Sequence, residues 1–310
     1  MSPVSVVVLT YRRQDAVLAL LKDLESLRGE DFEVIVVDNG SADGTAEAIA
    51  RHHPGVELVV LDENVGVGAR NEGLAISRGE IVVTLDDDML GFGRDDLNRL
   101  RDIFAGRPRL GALNFKVTRP GSDAVRDWVH HRPVEQANDA FDTYEITEGA
   151  VAYRAAALDA AGDYREDFFI SHEGLELAYR LLDEGWEIAY DGRVSVEHHH
   201  AAGGRTSWRR YYYDTRNLFW VSTLHHSFGY AVRYLVLGVT AMGYYALRDG
   251  FLTTWLRAVR DGLRGVSALK RERRVWTPAT RAFVEAVDAG RPGFVYLARK
   301  RLRQKDFSLE

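Results

Sequence analysis

The chain has 310 residues and a formal net charge of −6, and 46% of its residues are hydrophobic and 28% are charged. This composition excludes disordered, fibrous and strongly polycationic chains, and the length allows one large domain or two small ones. The absence of cysteine excludes disulfide bonds, thiolate metal sites and a cysteine nucleophile.

The first half of the sequence alternates patterns typical of buried strands and of amphipathic helices. Apolar, β-branched runs predict strands at 4–10, 33–38, 56–61 and 80–85, and apolar residues at helical spacing predict helices at 14–27, 45–53 and 68–77. Such alternation is typical of a parallel sheet covered by helices on both faces. Ligands of these sheets bind at the carboxyl ends of the strands, so the residues that follow each strand are the candidates for a site.

The remainder of the chain is less regular. We predict a further strand at 110–118, a long loop at 119–139, a helix at 173–182 and a mostly helical region after Gly204. Long loops without their own secondary structure commonly carry function, so we expect 119–139 to contribute to an acceptor site. The expected organisation is an α/β domain at 1–204, followed at 205–310 by a helical region that makes acceptor, membrane-surface or dimer contacts.

Three adjacent carboxylates, Asp86, Asp87 and Asp88, follow the fourth predicted strand. Carboxylates this close repel one another unless a cation or solvent separates them. Their hard oxygens suit Mg²⁺ or Mn²⁺, which also bind phosphates. The alternative is a solvated acidic region before a helix near Asp95, but the position at the carboxyl edge of the sheet favours a metal site.

Other strand ends carry polar groups as well. Asp38 closes the second strand and could accept a hydrogen bond from a base or a ribose, although residues 38–41 (Asp-Asn-Gly-Ser) taken alone favour a turn. Arg70 lies near a helix start, where it could meet a diphosphate. Residues 66–71 fail as a dinucleotide-binding fingerprint, because Asn71 stands at the third glycine position and the segment follows the third strand. A dehydrogenase is therefore disfavoured.

A histidine trio, His198, His199 and His200, follows a strand-like segment that contains Val194 and Val196. A neutral imidazole at this place could bind a metal, whereas a lone histidine is more often structural. Three histidines together, in a chain with the acidic triplet, favour a metal ligand.

The order and spacing of these motifs resemble the family-2 glycosyltransferases of the GT-A fold over about residues 1–220. The matching segments are 4–13, 34–41, Asn64–Gly73, Leu85–Asp88, Gly149-Ala150 with Arg154, Phe168–Glu173, Arg180, Gly185-Trp186, the histidine trio, and Tyr211–Tyr213 with Arg216-Asn217. The resemblance implies an α/β/α sandwich with a mostly parallel sheet. It also implies sugar transfer, with inversion, from a nucleotide diphosphate sugar to a hydroxyl acceptor, which would be a glycan, a lipid-linked sugar or a small molecule.

The resemblance also implies roles for individual residues. Asp88 and His198 would bind Mn²⁺ or Mg²⁺, and Asp86 would meet the ribose side of the nucleotide, with Asp87 as a neighbouring candidate. The remaining nucleotide-sugar residues would be Thr10, Tyr11 and Asp38 around the base, Arg70 near the nucleotide or diphosphate, and Arg13 and Asn64.

The catalytic base is the point at which this sequence departs from the family. The family pattern is Glu-Asp-x-Asp-Leu-x-x-x-Arg, with the base at its second residue, and here Gly174 stands at that position. Glu173 is the favoured base and Glu176, one helical turn on, the second. Loss of the base would leave a catalytically impaired nucleotide-sugar-binding protein. A nucleotidyltransferase is disfavoured, because the segment after the first strand has no glycine.

The C-terminal region is basic and rich in aromatic residues. Between Arg257 and Lys305, 14 basic residues stand against four acidic ones, and aromatic side chains are scattered through 228–259. The longest apolar stretch, 234–247, falls short of the roughly 20 residues of a membrane span. With no targeting segment visible, we expect a cytoplasmic chain without a nucleic-acid partner, attached peripherally to the inner membrane face. The alternatives are solvated helix faces, packing on the catalytic domain, or a homodimer interface.

Overall fold

A nine-stranded sheet organises the first two thirds of the chain in the computed structural model, which describes residues 3–27, 31–199 and 207–290. The strands follow the hydrogen-bonded order β3-β2-β1-β4-β8-β6-β9-β5, and β7 pairs with β9. Their bounds are β1 Val4–Thr10, β2 Phe32–Asp38, β3 Glu57–Val60, β4 Ile81–Asp86, β5 Met89–Leu90, β6 Leu110–Thr118, β7 Ala140–Asp142, β8 Ala150–Arg154 and β9 Glu187–His198.

The N-terminal half of the sheet has the predicted parallel pairing. β1 lies between β2 and β4 and pairs in parallel with both. The register places Thr10 opposite Asp38 and Leu9 opposite Asp86. The polar groups at the ends of these strands therefore meet at one edge of the sheet.

The other half makes the sheet mixed. β8 pairs antiparallel with both β4 and β6, β6 pairs in parallel with β9, and β5 and β7 pair antiparallel with β9. Parallel pairing is thus confined to β1–β4 and to β6 with β9. The sequence did not predict β5, β7 and β8, which are only two to five residues long.

Helices cover both faces of the sheet. The side chains of Val6 and Val8 pack in one core cluster with Leu20 and Leu100, and the side chain of Val7 packs in another with Leu177. Alternate residues of β1 thus point into opposite layers, as expected for a strand buried on both faces. The helices are α1 Gln14–Leu24, α2 Thr45–His52, α3 Arg70–Ile76, α4 Arg94–Gly106, α5 Ala155–Ala161 and α6 Glu173–Asp183.

Four further helices form the C-terminal region, α7 Trp208–His225, α8 Phe228–Arg248, α9 Leu252–Leu269 and α10 Pro278–Ala289. A third core cluster joins Tyr179 of α6 to Val221 of α7 and Val284 of α10. The helical region therefore continues the packing of the α/β layers. Within the described residues, no helix is both long and apolar enough to cross a membrane. The predicted boundary between residues 204 and 205 lies outside the described residues, as do His200 and residues 291–305 of the basic segment.

The aromatic residues expected at a membrane surface mostly pack inside the protein instead. Tyr230 and Tyr245 are buried, and Nε1 of Trp255 donates a hydrogen bond to the Val239 carbonyl over 3.1 Å. Tyr244 is the one of these four that is exposed. Tyr230 packs in the third core cluster with Val284 of α10, and Tyr245 packs with Tyr211 of α7. Most of these rings are therefore used inside the protein.

Candidate active site

The acidic triplet is divided between two arginines. Asp87 accepts a hydrogen bond from Thr10 Oγ1 over 2.8 Å, and its Oδ1 lies 2.7 Å from Arg13 Nη1. The second Nη of Arg13 lies 2.5 Å from Asp88 Oδ2. Asp86 instead pairs with a different arginine, considered below. The expected repulsion is therefore relieved by cations that the protein itself supplies.

The carboxyls of Asp87 and Asp88 differ in protonation. Burial raises the pKa of Asp87 to about 7, against the opposing effects of Arg13 and Thr10. Burial alone would also raise the pKa of Asp88, but His198 and Arg13 outweigh it and lower that pKa to about 2. Asp88 is thus a carboxylate at neutral pH and suits a cation, whereas Asp87 mainly ties β1 to the end of β4.

His198, the last residue of β9, faces the same edge. The β5–β9 pairing places it opposite Met89, and its Nε2 lies 3.3 Å from Asp88 Oδ2. Its Nδ1 lies 2.5 Å from Oδ2 of Asp127, a loop residue that the sequence patterns did not single out. Burial would lower the pKa of His198, but Asp127 and Asp88 outweigh it and raise the pKa to about 9. His199 instead lies 3.0 Å from the partly exposed Glu197.

Asp88 and His198 together fit a divalent cation. One supplies a carboxylate oxygen. The other supplies an imidazole nitrogen once a bound cation takes the place of the proton on Nε2, at the edge of the sheet where the resemblance places a diphosphate. Within residues 3–27, 31–199 and 207–290, no group of three or more metal-binding side chains forms a complete site. Such a pair fits a cation that takes its other ligands from phosphates and water, as Mg²⁺ does.

The residues predicted to surround the base of the nucleotide lie along the ends of β1 and β2. The Asp38 carboxylate is buried and accepts a hydrogen bond from the Ser41 backbone over 3.0 Å, so the predicted turn is present. Asn64 accepts hydrogen bonds from Asn39 Nδ2 over 3.2 Å and from the Gly66 backbone over 2.9 Å. Both predicted residues therefore fix the loops at this edge.

Tyr11 completes the same edge. It is partly exposed, and the Arg12 guanidinium carbon lies 5.2 Å from the centre of its ring. An aromatic ring with one accessible face offers a stacking surface for a planar group.

A second charged cluster lies between α3, α6 and the segment before β8. Arg70 is 2% exposed, forms an ion pair with Asp86, and its Nη1 lies 4.0 Å from Glu148 Oε2. Several buried atoms of this cluster have no hydrogen-bond partner among the described residues. They are Nε and Nη1 of Arg70, both carboxylate oxygens of Glu148, and Oε2 of Glu173. Each such atom costs about 1–3 kcal/mol, so their concentration here marks a place where a ligand would be stabilising.

The carboxyls of this cluster also titrate unusually. Burial raises the pKa of Glu173 to about 7. Burial, and after it the charge of Glu173, raises the pKa of Glu148 to about 8. Glu148 was not predicted, although it immediately precedes the Gly149-Ala150 motif. An acidic residue beside that motif was the signal that could have identified it.

Glu176, the second predicted base, is held by other side chains. Its carboxylate accepts hydrogen bonds from Arg180 Nε and Nη2 over 2.9 and 2.7 Å, and its Oε1 lies 3.0 Å from His225 Nε2. Burial would raise the pKa of Glu176, but His225 and Arg180 outweigh it and lower that pKa. Both oxygens are engaged, and Glu176 therefore ties α6 to α7. Its role as the second candidate base stays a prediction that this geometry disfavours.

Comparisons with known proteins show which family and fold this chain resembles. Residues 5–139 match the family model described as Glycosyl transferase family 2. The chain is similar to N-acetylglucosaminyl-diphospho-decaprenol L-rhamnosyltransferase of Mycobacterium tuberculosis, with 25% identity over 233 residues that cover 63% of this chain and 76% of that protein.

Two solved structures share the fold. The mannosyltransferase PcManGT from Pyrobaculum calidifontis, in complex with GDP-Man and Mn²⁺, is 21% identical with a TM-score of 0.56, over 98% of this chain and 88% of that one. S. aureus TarS 1–349, in complex with UDP-GlcNAc, is 18% identical with a TM-score of 0.59, over 93% of this chain and 92% of that one.

Proposed function

We propose that this chain, whose residues 5–139 match the family model Glycosyl transferase family 2, catalyses a metal-dependent, inverting sugar transfer from a nucleotide diphosphate sugar to a hydroxyl acceptor. The observation that carries the proposal is the approach of Asp88 and His198 at the strand edge, with Nε2 and Oδ2 3.3 Å apart. Arg70 pairs with Asp86 at the end of β4, two residues before Asp88.

The donor would lie across the ends of β1, β2 and β4. Tyr11 would stack on the base, and Thr10, Asp38 and Asn64 would hold the loops around it. Asp86 is the most exposed carboxylate of the triplet, at 38% of its side chain, and would meet the ribose. Arg70, with two unpartnered nitrogens among the described residues, would donate hydrogen bonds to the diphosphate.

Mn²⁺ or Mg²⁺, when bound, would neutralise the charge that develops on the leaving diphosphate. Asp88 and His198 would hold it. Arg13, whose Nη2 lies 2.5 Å from Asp88 Oδ2, would keep that carboxylate oriented. Asp127 fixes the ring of His198 through Nδ1, which leaves Nε2 directed at Asp88.

A lipid-linked sugar is the acceptor that we favour, since the M. tuberculosis relative is named for a decaprenol-linked one.

Three leucines of α9 at helical spacing are exposed: Leu252, Leu256 and Leu263. The exposed arginines Arg257, Arg260 and Arg264 flank them. We call these six residues the α9 face. An aliphatic stripe edged by cations fits a membrane surface with anionic head groups, so attachment at the cytoplasmic leaflet is part of the proposal.

A thermal-shift screen against UDP, GDP and dTDP, each with and without Mn²⁺, tests donor binding. Ligands that bind the native state raise Tm by mass action. We expect one nucleotide to raise Tm substantially more with Mn²⁺ than without it. No shift with any nucleotide in either condition would contradict the proposal.

The second candidate, a catalytically impaired nucleotide-sugar-binding protein, is favoured by one observation, the glycine at position 174. Release of free nucleotide from the bound sugar nucleotide separates the two functions. Sustained release in the presence of acceptor or water supports the enzyme, and stoichiometric binding without release supports the binding protein.

A further inference from the structure

The glycine at position 174 is explained by a side chain from another part of the fold. A Cβ built on Gly174 would lie 1.7 Å from Oε1 and 2.7 Å from Cδ of Glu148. Gly174 lies in the first turn of α6 and is not among the residues with positive φ, so the backbone itself does not demand glycine. The Glu148 carboxylate occupies the space that any side chain at position 174 would need.

We propose that Glu148 is the general base of the reaction, delivering from the segment before β8 the carboxylate that position 174 lacks. The inference rests on the proposed function and deepens it. It also explains how the chain can have glycine at position 174, because position 148 supplies the catalytic base instead.

The position of Glu148 joins it to the donor side of the site. The carbonyl of the next residue, Gly149, accepts a hydrogen bond from the Asp86 backbone over 3.1 Å. A Cβ on Gly149 would lie 2.3 Å from the Asp86 carboxyl carbon, so the two segments are in close contact. Glu148 therefore lies beside the carboxylate that we assign to the ribose, within 4.0 Å of Arg70.

Accessibility favours Glu148 over Glu173. Glu173 is buried at 3% exposure in the first turn of α6. The Glu148 side chain is 25% exposed, although both of its oxygens are covered. Its methylene groups thus border the solvent, and rotation about the side-chain bonds would bring the carboxylate to an acceptor. Glu173 acts as a positioning residue, a second carboxyl whose charge keeps the proton affinity of Glu148 high.

The protonation behaviour suits this role. Burial and Glu173 raise the pKa of Glu148 to about 8, while Arg70 opposes them. A general base is most effective when its pKa lies near the working pH.

The proposed step is balanced. The acceptor oxygen forms a bond to the anomeric carbon, and the bond between that carbon and the diphosphate oxygen breaks. The electron pair of the broken bond leaves with the diphosphate. The acceptor proton passes to a carboxylate oxygen of Glu148.

Kinetics with conservative variants test the assignment. The donor is the one of UDP-GlcNAc, GDP-mannose and dTDP-L-rhamnose that is turned over fastest, with water as the acceptor if no sugar acceptor is found. We expect Glu148→Gln to lower kcat by about 10²–10⁴ with donor Kd unchanged, and Glu173→Gln to lower it by much less. Wild-type kcat in Glu148→Gln, or a larger loss in Glu173→Gln, would overturn the proposal.

Moving the carboxylate back to position 174 is a sharper test. Glu148→Ala removes the two atoms that lie nearest to a Cβ at position 174, and the third, Ile146 Cβ, lies 3.1 Å away. We expect Glu148→Ala/Gly174→Asp to recover at least about tenfold more turnover than the matched Glu148→Ala/Gly174→Asn, because only Asp can accept the proton. Equal turnover of the two double variants would contradict the assignment.

The placement has a readout that needs no substrate. Gly174→Ala should lower Tm by roughly 3–8 °C when Glu148 is present and by much less in the Glu148→Ala background. Equal losses in both backgrounds would show that Glu148 does not fill this space. An unaltered chain that turns over none of the donors would contradict the proposed function alone, and this comparison would still decide the placement.

Discussion

His198 and Asp88 meet at the edge of the sheet with 3.3 Å between Nε2 and Oδ2, because β5 folds back antiparallel onto the end of β9. The two-residue strand β5 thereby joins the acidic triplet to a histidine that is remote in sequence. This contact is the structural basis of the metal site that we propose.

Asp88→Ala should abolish the Mn²⁺-dependent part of nucleotide diphosphate binding while the fold is retained. The substitution removes a buried carboxylate whose pKa is lowered to about 2 and which is therefore ionised at neutral pH. Isothermal titration with nucleotide, with and without Mn²⁺, measures the effect. Asp102→Ala on the exposed face of α4 is the matched control. Undiminished Mn²⁺-dependent affinity in Asp88→Ala would remove Asp88 from the metal site.

We expect the main effect of Glu176→Gln to be a lower free energy of unfolding and not a slower reaction. The Glu176 carboxylate is 1% exposed and is held by Arg180 and His225, and breaking a buried pair on one side costs about 3–5 kcal/mol. Urea unfolding measures the loss. Glu285→Gln, which breaks an exposed pair with Arg281 at the same helical spacing, should cost less than about 0.5 kcal/mol. Similar costs for the two variants would show that the buried network contributes little.

The stability supplied by Glu145 should depend on pH. Burial would raise the pKa of Glu145, but His130 and His131 outweigh it and lower the pKa from 4.5 to about 2. A carboxyl with a lowered folded-state pKa stabilises the protein above its unfolded pKa, and this stabilisation is lost as the pH falls from about 4.5 toward 2.

Burial also lowers the pKa of His130, so at pH 7 the Glu145 carboxylate is held mainly by hydrogen bonds, among them those from the His131 backbone and Thr143. Glu145→Gln should therefore cost about 1–3 kcal/mol at pH 7 and progressively less below pH 4.5. The measurement is the difference in unfolding free energy between the unaltered chain and the variant at several pH values. A difference that stays constant from pH 7 to pH 3 would contradict the ionic role of Glu145.

The α9 face should bind anionic vesicles at low salt. Leu256→Glu/Leu263→Glu places two negative charges in its aliphatic stripe and should abolish co-sedimentation. Val60→Glu/Val134→Glu makes the same change at two exposed valines elsewhere and is the control. If the unaltered chain does not bind anionic vesicles at low salt, the membrane proposal fails and a dimer contact becomes the favoured use of this face.

The sequence predicted the parallel half of the sheet because each of its strands is a continuous apolar run. It did not predict β8, since Ala150–Arg154 is short and is held between β4 and β6, which come from distant parts of the chain. The same distinction applies to the site. Asp88 and His198 stand in local motifs, whereas the roles of Asp127 and Glu148 depend on contacts with residues 198 and 174 that no local pattern contains.

The contact between Gly174 and Glu148 also constrains how related sequences can vary. Because a Cβ at position 174 would overlap the Glu148 carboxylate where it lies in this structure, a substitution at 174 requires Glu148 to move or to change. Relatives with Asp at the position equivalent to 174 should carry a residue shorter than Glu at the position equivalent to 148, and relatives with Glu there should keep Gly at 174. The route between the two types passes through an intermediate with either two overlapping carboxylates or none, so the exchange would require paired changes.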